Sequence, residues 1–418
     1  MSRKQHVVIG NSAAALNTIK SIRQFDRCGS IVLISGERCN AYSPVLLTYY
    51  LKGTISRESL FIVDESFYLA NGVKRVLGNK VMAVDPSRQR ILLADADEMK
   101  YDKLLIATGA SPIFPGIPSE GLKYVMSLRT IDDAERILRC AKEAKEVIVI
   151  GGGLVALQLL DALFRRDIKY TVLISSKHLL SQSIGADCAR IVQTELESYG
   201  IRFVFDTNVK QIKREGQKTI VVTDSNEELT AHMVIAGKGV RPNTELVANT
   251  GINTNVGILV DRMMRTSVSN VFAAGDVSEG QNFLTGREEI FPNWASACRQ
   301  GKIAGANMAG CGKEYAGGFK SFITTVFGLT IASIGLSATS DGMDVTEYRF
   351  YDPRRKTCTE IRFADNKLVG ATLLGKTASA GMLMNFIRNR KEISSCKEEM
   401  ARTSFDFTKF LPAKARYF

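Results

Sequence analysis

The sequence predicts an α/β protein with two Rossmann-like units, one threaded through the other, and a C-terminal α+β domain. Three observations predict it. An apolar strand, a small-residue turn and a helix-period segment open the chain at residue 7 and recur at residue 147. Each copy runs on into a second apolar strand, residues 31–34 and 171–174. Further strands ending in small-residue turns follow at residues 102–109, 233–243 and 271–276.

The first turn reads Gly10-x-Ser12-x-x-Ala15 and the second Gly151-x-Gly153-x-x-Ala156. In such a turn the first glycine permits the tight bend. The second small residue lets backbone N–H groups approach a pyrophosphate, and the third lets the helix sit close on the strand. The helix N-terminus then faces the phosphate charge. Leu16, Ile19 and Ile22 mark the apolar face of the first helix, and Leu159, Leu160 and Leu163 that of the second. Either turn alone would suit ordinary packing. Two in matching context point to two dinucleotides, with Gly10, Ser12, Ala13, Ala14 and Ala15 at one and Gly151, Gly152, Gly153, Leu154 and Val155 at the other.

The ends of the second strands differ. Ser35-Gly36-Glu37 places an acid where ribose hydroxyls need an acceptor. Ser175-Ser176-Lys177-His178 offers no acid, and Lys177 suits a 2′-phosphate, which leans towards NADP. Pro112, Pro115 and Pro118, three of nine prolines, mark a linker. Gly275-Asp276 closes a strand at its carboxyl end, where ligands of open α/β sheets collect.

Composition narrows the remaining classes. The 418 residues carry 55 Lys plus Arg and 43 Asp plus Glu, a net charge of +12 that favours acidic partners. The eight cysteines show no C-x-x-C spacing and read as reduced cytosolic thiols in a cytoplasmic protein. With three histidines besides, no metal site is expected of this chain. The N-terminus reads as a polar lead into a strand, not a signal peptide. Residues 321–340 are uncharged, but their Ser, Thr, Gly and β-branched content reads as two buried strands broken near Gly328, not a membrane span. Dispersed basic residues without interleaved aromatics argue against nucleic acid.

These pieces in this order resemble the FAD-dependent pyridine nucleotide–disulfide oxidoreductases. The resemblance rests on Gly10 to Ala15, Ala107-Thr108-Gly109, Gly151 to Gln158, Gly237 to Asn243, Ala273 to Asp276, and Pro292-Asn293-Trp294 through Lys302, and it covers nearly the whole chain. It implies an FAD domain from residues 1–112 and 237–312, an NAD(P) domain at 113–236 and a C-terminal interface domain at 313–418 that often forms a homodimer. It implies FAD contacts from Glu37, Arg38, Tyr42, Pro44, Val81, Thr108, Gly109, Gly275, Asp276, Pro292, Asn293 and Trp294. For the nicotinamide nucleotide it implies Ser175, Lys177, Gly237 and Lys238. Within the family, Tyr42-Ser43-Pro44 through Gly53 looks like the branch of NADH oxidases, nitrite reductase flavin segments, ferredoxin and rubredoxin reductases and the flavoprotein subunit of phenylglyoxylate dehydrogenase. That branch puts NAD ahead of NADP.

Departures from the family pattern bear on the chemistry. Disulfide reductases need a redox cysteine beside the flavin, and residues 41–50 hold none; Cys39 is the only candidate. No histidine follows His232 to serve as their late acid–base group. Where relatives carry a Lys and a Glu at the flavin, Tyr49 and Gln158 stand here, a neutral pair; losing one charge alone would strand the other. The resemblance therefore implies hydride exchange with NAD(P)(H) and electron exchange with an acidic iron–sulfur protein or subunit. Such a partner would dock near Arg349, Arg354, Arg355 and Lys356 and the basic tail after Arg388. A stand-alone NADH oxidase or coenzyme A/disulfide reductase using Cys39, and a basic flavoprotein that docks nucleic acid, are the other two readings.

Overall fold

The computed structural model describes residues 4–114, 124–337, 343–402 and 405–410. Pro115 and Pro118 of the expected linker, and the end of the basic tail, lie outside the described residues. The chain divides into two compact units: Met1–Pro112, Arg129–Ile131 and Val240–Gly318 form one, and Ile113–Leu128, Asp132–Gly239 and Phe319–Phe418 the other.

In the first unit, five parallel strands run in the order Val271–Ala273, Lys103–Ile106, Gln5–Ile9, Ser30–Ser35, Val73–Leu77. The order reverses at Gln5–Ile9, so a crevice opens where its carboxyl end meets that of Lys103–Ile106. The strands read as continuous apolar runs because both faces are covered; Val7, Val8, Leu104, Leu105 and Ile106 are fully buried. Helix Ala13–Phe25 packs on helix Trp294–Met308 at backbone contact. A Cβ on Gly301 would lie 2.2 Å from the Ala14 carbonyl oxygen. Thr18 Oγ1 donates to the Gly301 carbonyl at 2.9 Å, and Ser21 Oγ to that of Lys302 at 2.7 Å. Ala110–Pro112 and Val240–Pro242, the two connections at the unit's border, pair antiparallel.

In the second unit, parallel strands run Arg202–Val204, Lys169–Leu173, Glu146–Ile150, Met233–Ala236, Val125–Met126. The same unit contains a five-stranded antiparallel sheet in the order Ser321–Val326, Leu329–Gly335, Lys367–Leu374, Thr357–Ala364, Thr346–Asp352. The break expected near Gly328 is a hairpin turn there, with Gly328 at φ +77°. Of its two strands only the second is buried: Ser321–Val326 lies at the sheet edge and exposes Ile323. No helix among the described residues is long and apolar enough to cross a membrane.

The reading of all cysteines as free thiols is corrected here. Cys188 and Cys358 form a disulfide. They stand 170 residues apart, and only the packing of helix Ala186–Ser198 on strand Thr357–Ala364 brings them together, so no spacing motif announces the pair.

Candidate functional site

Gly10 has φ +113°, and a Cβ there would lie 2.2 Å from the Ala107 carbonyl oxygen. Ala107, on one side of this close pass, lines a cleft of about 150 Å³, and Gly10 lies just behind the lining. Ser12, Ala13, Ala14 and Ala15 line it from helix Ala13–Phe25, whose first turn holds no acid and whose N-cap Ser12 makes no side-chain capping bond. The helix therefore presents N–H groups and its positive end to the cleft.

Across the cleft stand Pro292, Asn293, Trp294 and Ala297. Asn293 Oδ1 accepts from Ser296 N at 2.8 Å and caps helix Trp294–Met308. On that helix, Ser296 Oγ and Gln300 Nε2 are buried without a hydrogen-bond partner among the described residues. Gln300 Oε1 accepts from Gly275 N at 2.9 Å and fixes the turn that presents Asp276. Asp276 pairs with Arg129, Nη2 to Oδ2 2.9 Å, and both line the cleft.

Of the expected residues, Ser12 to Ala15, Pro44, Gly109, Gly275, Asp276, Pro292, Asn293 and Trp294 share this cleft. Arg129, Val45, Ala107, Ala274 and Ala297 also line it and were not among the expected contacts. Arg129 had one signal: it is the lone charge in the apolar stretch 124–131. Glu37, Arg38, Tyr42, Thr108 and Val81 lie elsewhere in the unit. Tyr42 OH donates to Glu37 Oε2 at 2.8 Å, and burial, reinforced by the Glu37 charge, pushes the phenol far above its usual range. Arg38 packs on Gly78, whose N–H donates to the Glu37 carbonyl at 3.1 Å, so both sit at the carboxyl ends of the second and third strands. Val81 begins the next strand. Thr108 Oγ1 donates to the Asn243 carbonyl at 3.0 Å, and Asn243 Nδ2 returns a bond to Thr108 O at 2.9 Å. Tyr49 is exposed on helix Leu47–Leu51. Cys39 accepts a bond from Asn11 Nδ2 at its carbonyl, 3.2 Å, and lies off the cleft.

In the second unit, Gly151 has φ +118° and a Cβ there would meet the Gly237 carbonyl oxygen at 2.6 Å. A Cβ on Gly237 would strike Ala156 at 2.9 Å, and one on Gly152 would meet Ile174 at 3.0 Å. Gly153 is different: the nearest atom to its Cβ position is 3.8 Å away. Gly151 and Gly237 are thus demanded by packing, whereas Gly153, the N-cap of helix Leu154–Leu163, leaves open space for a ligand. Leu154 and Val155 open that helix, which has no acid in its first turn. Ser175 and Lys177 are exposed, and Lys238 is half-buried. Gln158 Nε2 donates to Thr324 Oγ1 at 2.8 Å.

The residues present fit the two groups the sequence implies. In the first unit, the bend at Gly10, the acid-free helix start, the orphaned Ser296 and Gln300 atoms and the Asp276 acceptor suit FAD. In the second, the open Gly153 position and acid-free helix start suit a nicotinamide nucleotide.

The chain is 31% identical over 390 residues to an NADH oxidase of Methanocaldococcus jannaschii, covering 88% of this chain and 87% of that protein. It is 28% identical over 392 residues to the epsilon subunit of an NADH-dependent phenylglyoxylate dehydrogenase of Aromatoleum evansii, covering 93% of each. It matches the Bacillus subtilis assimilatory nitrate reductase electron transfer subunit at 27% over 403 residues, 96% of this chain, but spans only 51% of that protein's length. Its fold matches a ferredoxin reductase of Rhodopseudomonas palustris with a TM-score of 0.89, over 97% of this chain and 99% of that one, at 24% identity. The pyridine nucleotide-disulphide oxidoreductase model matches residues 4–301, and the chain therefore belongs to that family of FAD-dependent oxidoreductases of NAD(H).

Proposed function

We propose that this protein exchanges a hydride with NAD(P)(H), NAD ahead of NADP, and electrons with a separate acidic iron–sulfur protein or subunit. It would act as the flavin subunit of a larger cytoplasmic oxidoreductase complex of the phenylglyoxylate dehydrogenase kind. The observation that carries this reading is the lining of the cleft. Pro44 and Val45 face it, no lining residue is a cysteine, and Cys39 lies off it. Electrons therefore have no thiol in the cleft to leave through.

In this reading residues 1–112 and 237–312 hold FAD, 113–236 hold the nicotinamide nucleotide, and 313–418 form an interface. When bound, FAD supplies a ring that takes two electrons as hydride and passes them on singly. The N–H groups opening helix Ala13–Phe25 bind its pyrophosphate, Glu37 its ribose hydroxyls and Asp276 its ribityl chain. The start of helix Trp294–Met308 holds negative charge at the pyrimidine edge, and Trp294 walls the ring from water. Tyr49 acts as an uncharged group on the FAD unit, and Gln158 as one on the helix that opens the nicotinamide nucleotide cradle. Exposed Ile323 and Tyr351, on the two edge strands of the antiparallel sheet, support pairing with a second copy there.

Stopped-flow mixing tests the proposal. NADH should bleach the flavin rapidly, reoxidation should be fast with a [2Fe–2S] protein, and turnover with oxygen alone should be slow. Fast oxygen consumption without a partner would instead favour a stand-alone NADH oxidase, the activity named for the M. jannaschii relative. Undiminished turnover in Cys39→Ser would remove a thiol route.

A further inference from the structure

Lys238 follows Gly237 at the carboxyl end of strand Met233–Ala236, and its backbone nitrogen lies 3.4 Å from the Cβ position of Gly151. It therefore belongs to the same pair of turns as the second glycine motif. The residue is half-buried, and its ammonium makes no hydrogen bond or ion pair among the described residues. Burial holds it below the ordinary lysine range, and among the described residues the charge drawing it back up is that of Asp224, which makes no ion pair with it. Asp224 itself is engaged with Asn208, accepting from its N and Nδ2 at 3.2 Å. A partly desolvated cation without a counter-ion costs folding free energy, and such groups gather where a ligand supplies the missing charge. Lys177, by contrast, is exposed and needs no such partner.

We propose, resting on the reading of Gly151 to Val155 as a nicotinamide nucleotide cradle, that Lys238 is the counter-ion of the dinucleotide's pyrophosphate. It would then set the affinity of this unit for any ADP-containing nucleotide, with or without a 2′-phosphate. The helix start at Leu154 contributes partial positive charge and Lys238 the full one.

The test is Lys238→Met in the full-length, FAD-containing protein, titrated calorimetrically with ADP-ribose, 2′-phospho-ADP-ribose and adenosine. Both phosphorylated ligands should bind about tenfold more weakly than to the wild type. Adenosine should bind unchanged, and the thermal midpoint without ligand should stay level or rise, because an unpaired charge has been removed. Unchanged affinity for ADP-ribose would overturn the proposal, as would a loss confined to the 2′-phosphorylated ligand. A lowered midpoint would mark a structural lysine and also overturn it. Failure of the underlying reading looks different: the wild type itself would bind neither nucleotide.

Discussion

Cys188, in the first turn of helix Ala186–Ser198, is joined by a disulfide to Cys358 on strand Thr357–Ala364. Both residues are fully buried. Two positions along that strand, Glu360 accepts from Gly185 N at 3.2 Å, at the helix N-cap, and pairs with buried Arg362. The start of the helix is thus held twice, once covalently and once by charge. The Glu360–Arg362 pair lies within the strand and leaves a single hydrogen bond from Gly185 N tying the helix start, so the disulfide should dominate.

Replacing both cysteines with serine should cost about 2–4 kcal/mol, read as a lower denaturant midpoint. The wild type should respond to a dithiol only slowly, because reduction requires the buried sulfurs to be exposed first. Identical midpoints with and without reductant, after full equilibration, would show that the pair stays reduced.

The two glycine motifs should respond differently to added side chains. Gly10→Val strains a residue at φ +113° and drives Cβ into the Ala107 carbonyl, so the protein should emerge colourless. Gly153→Ala has open space, so it should fold, stay yellow and resist bleaching by NADH or NADPH. Visible absorbance checks both. Retained FAD in the first variant, or normal bleaching in the second, would mean that the turn serves packing only.

Acid should weaken the first unit in two stages. His6 Nε2 donates to Asp26 Oδ2 at 2.9 Å, and His6 Nδ1 is buried without a partner among the described residues. Burial lowers the His6 pKa, and the His6 bond lowers that of Asp26 to about 2. The fold therefore favours neutral His6, and stability is full above about pH 6.5 and declines as pH falls below it. The Asp26 contribution is full above the ordinary carboxylate range and is lost as pH falls through about 2. His6→Gln should abolish the first stage; denaturant melts at about pH 7 and pH 5 in both proteins would reveal a decline that persists.

Charge reversal should separate folding from docking. Arg349 is tied to Asp187 and Glu347, and Lys356 to Glu195, so half of the expected docking cluster is engaged within its own unit. Arg349→Glu should therefore lower the thermal midpoint. Arg354 and Arg355 are exposed; the Arg355 guanidinium makes a loose contact with Asp352 at 3.7 Å, and its backbone N–H donates to the same carboxylate at 3.2 Å. Reversing both should shift stability by no more than about 0.5 kcal/mol. It should slow electron transfer to the iron–sulfur partner and flatten its salt dependence, with flavin reduction unchanged. A partner rate indifferent to salt and to both substitutions would refute electrostatic docking.

The two strand–turn–helix units were legible along the chain, because a glycine at positive φ and an apolar strand are demands made by near neighbours. Gly10 and Gly151 show that demand directly, at φ +113° and +118°. The motif-borne part of the cleft, from Ser12 to Ala15 and from Pro292 to Trp294, was legible for the same reason. Long-range packing was needed to show that Arg129 meets Asp276, that Cys188 meets Cys358, that Ile323 lies on an edge strand and that Lys238 is half-buried with no ion pair among the described residues. Charge pairing, cross-linking and burial depend on which distant segments become neighbours, and residue spacing along one chain carries no record of that.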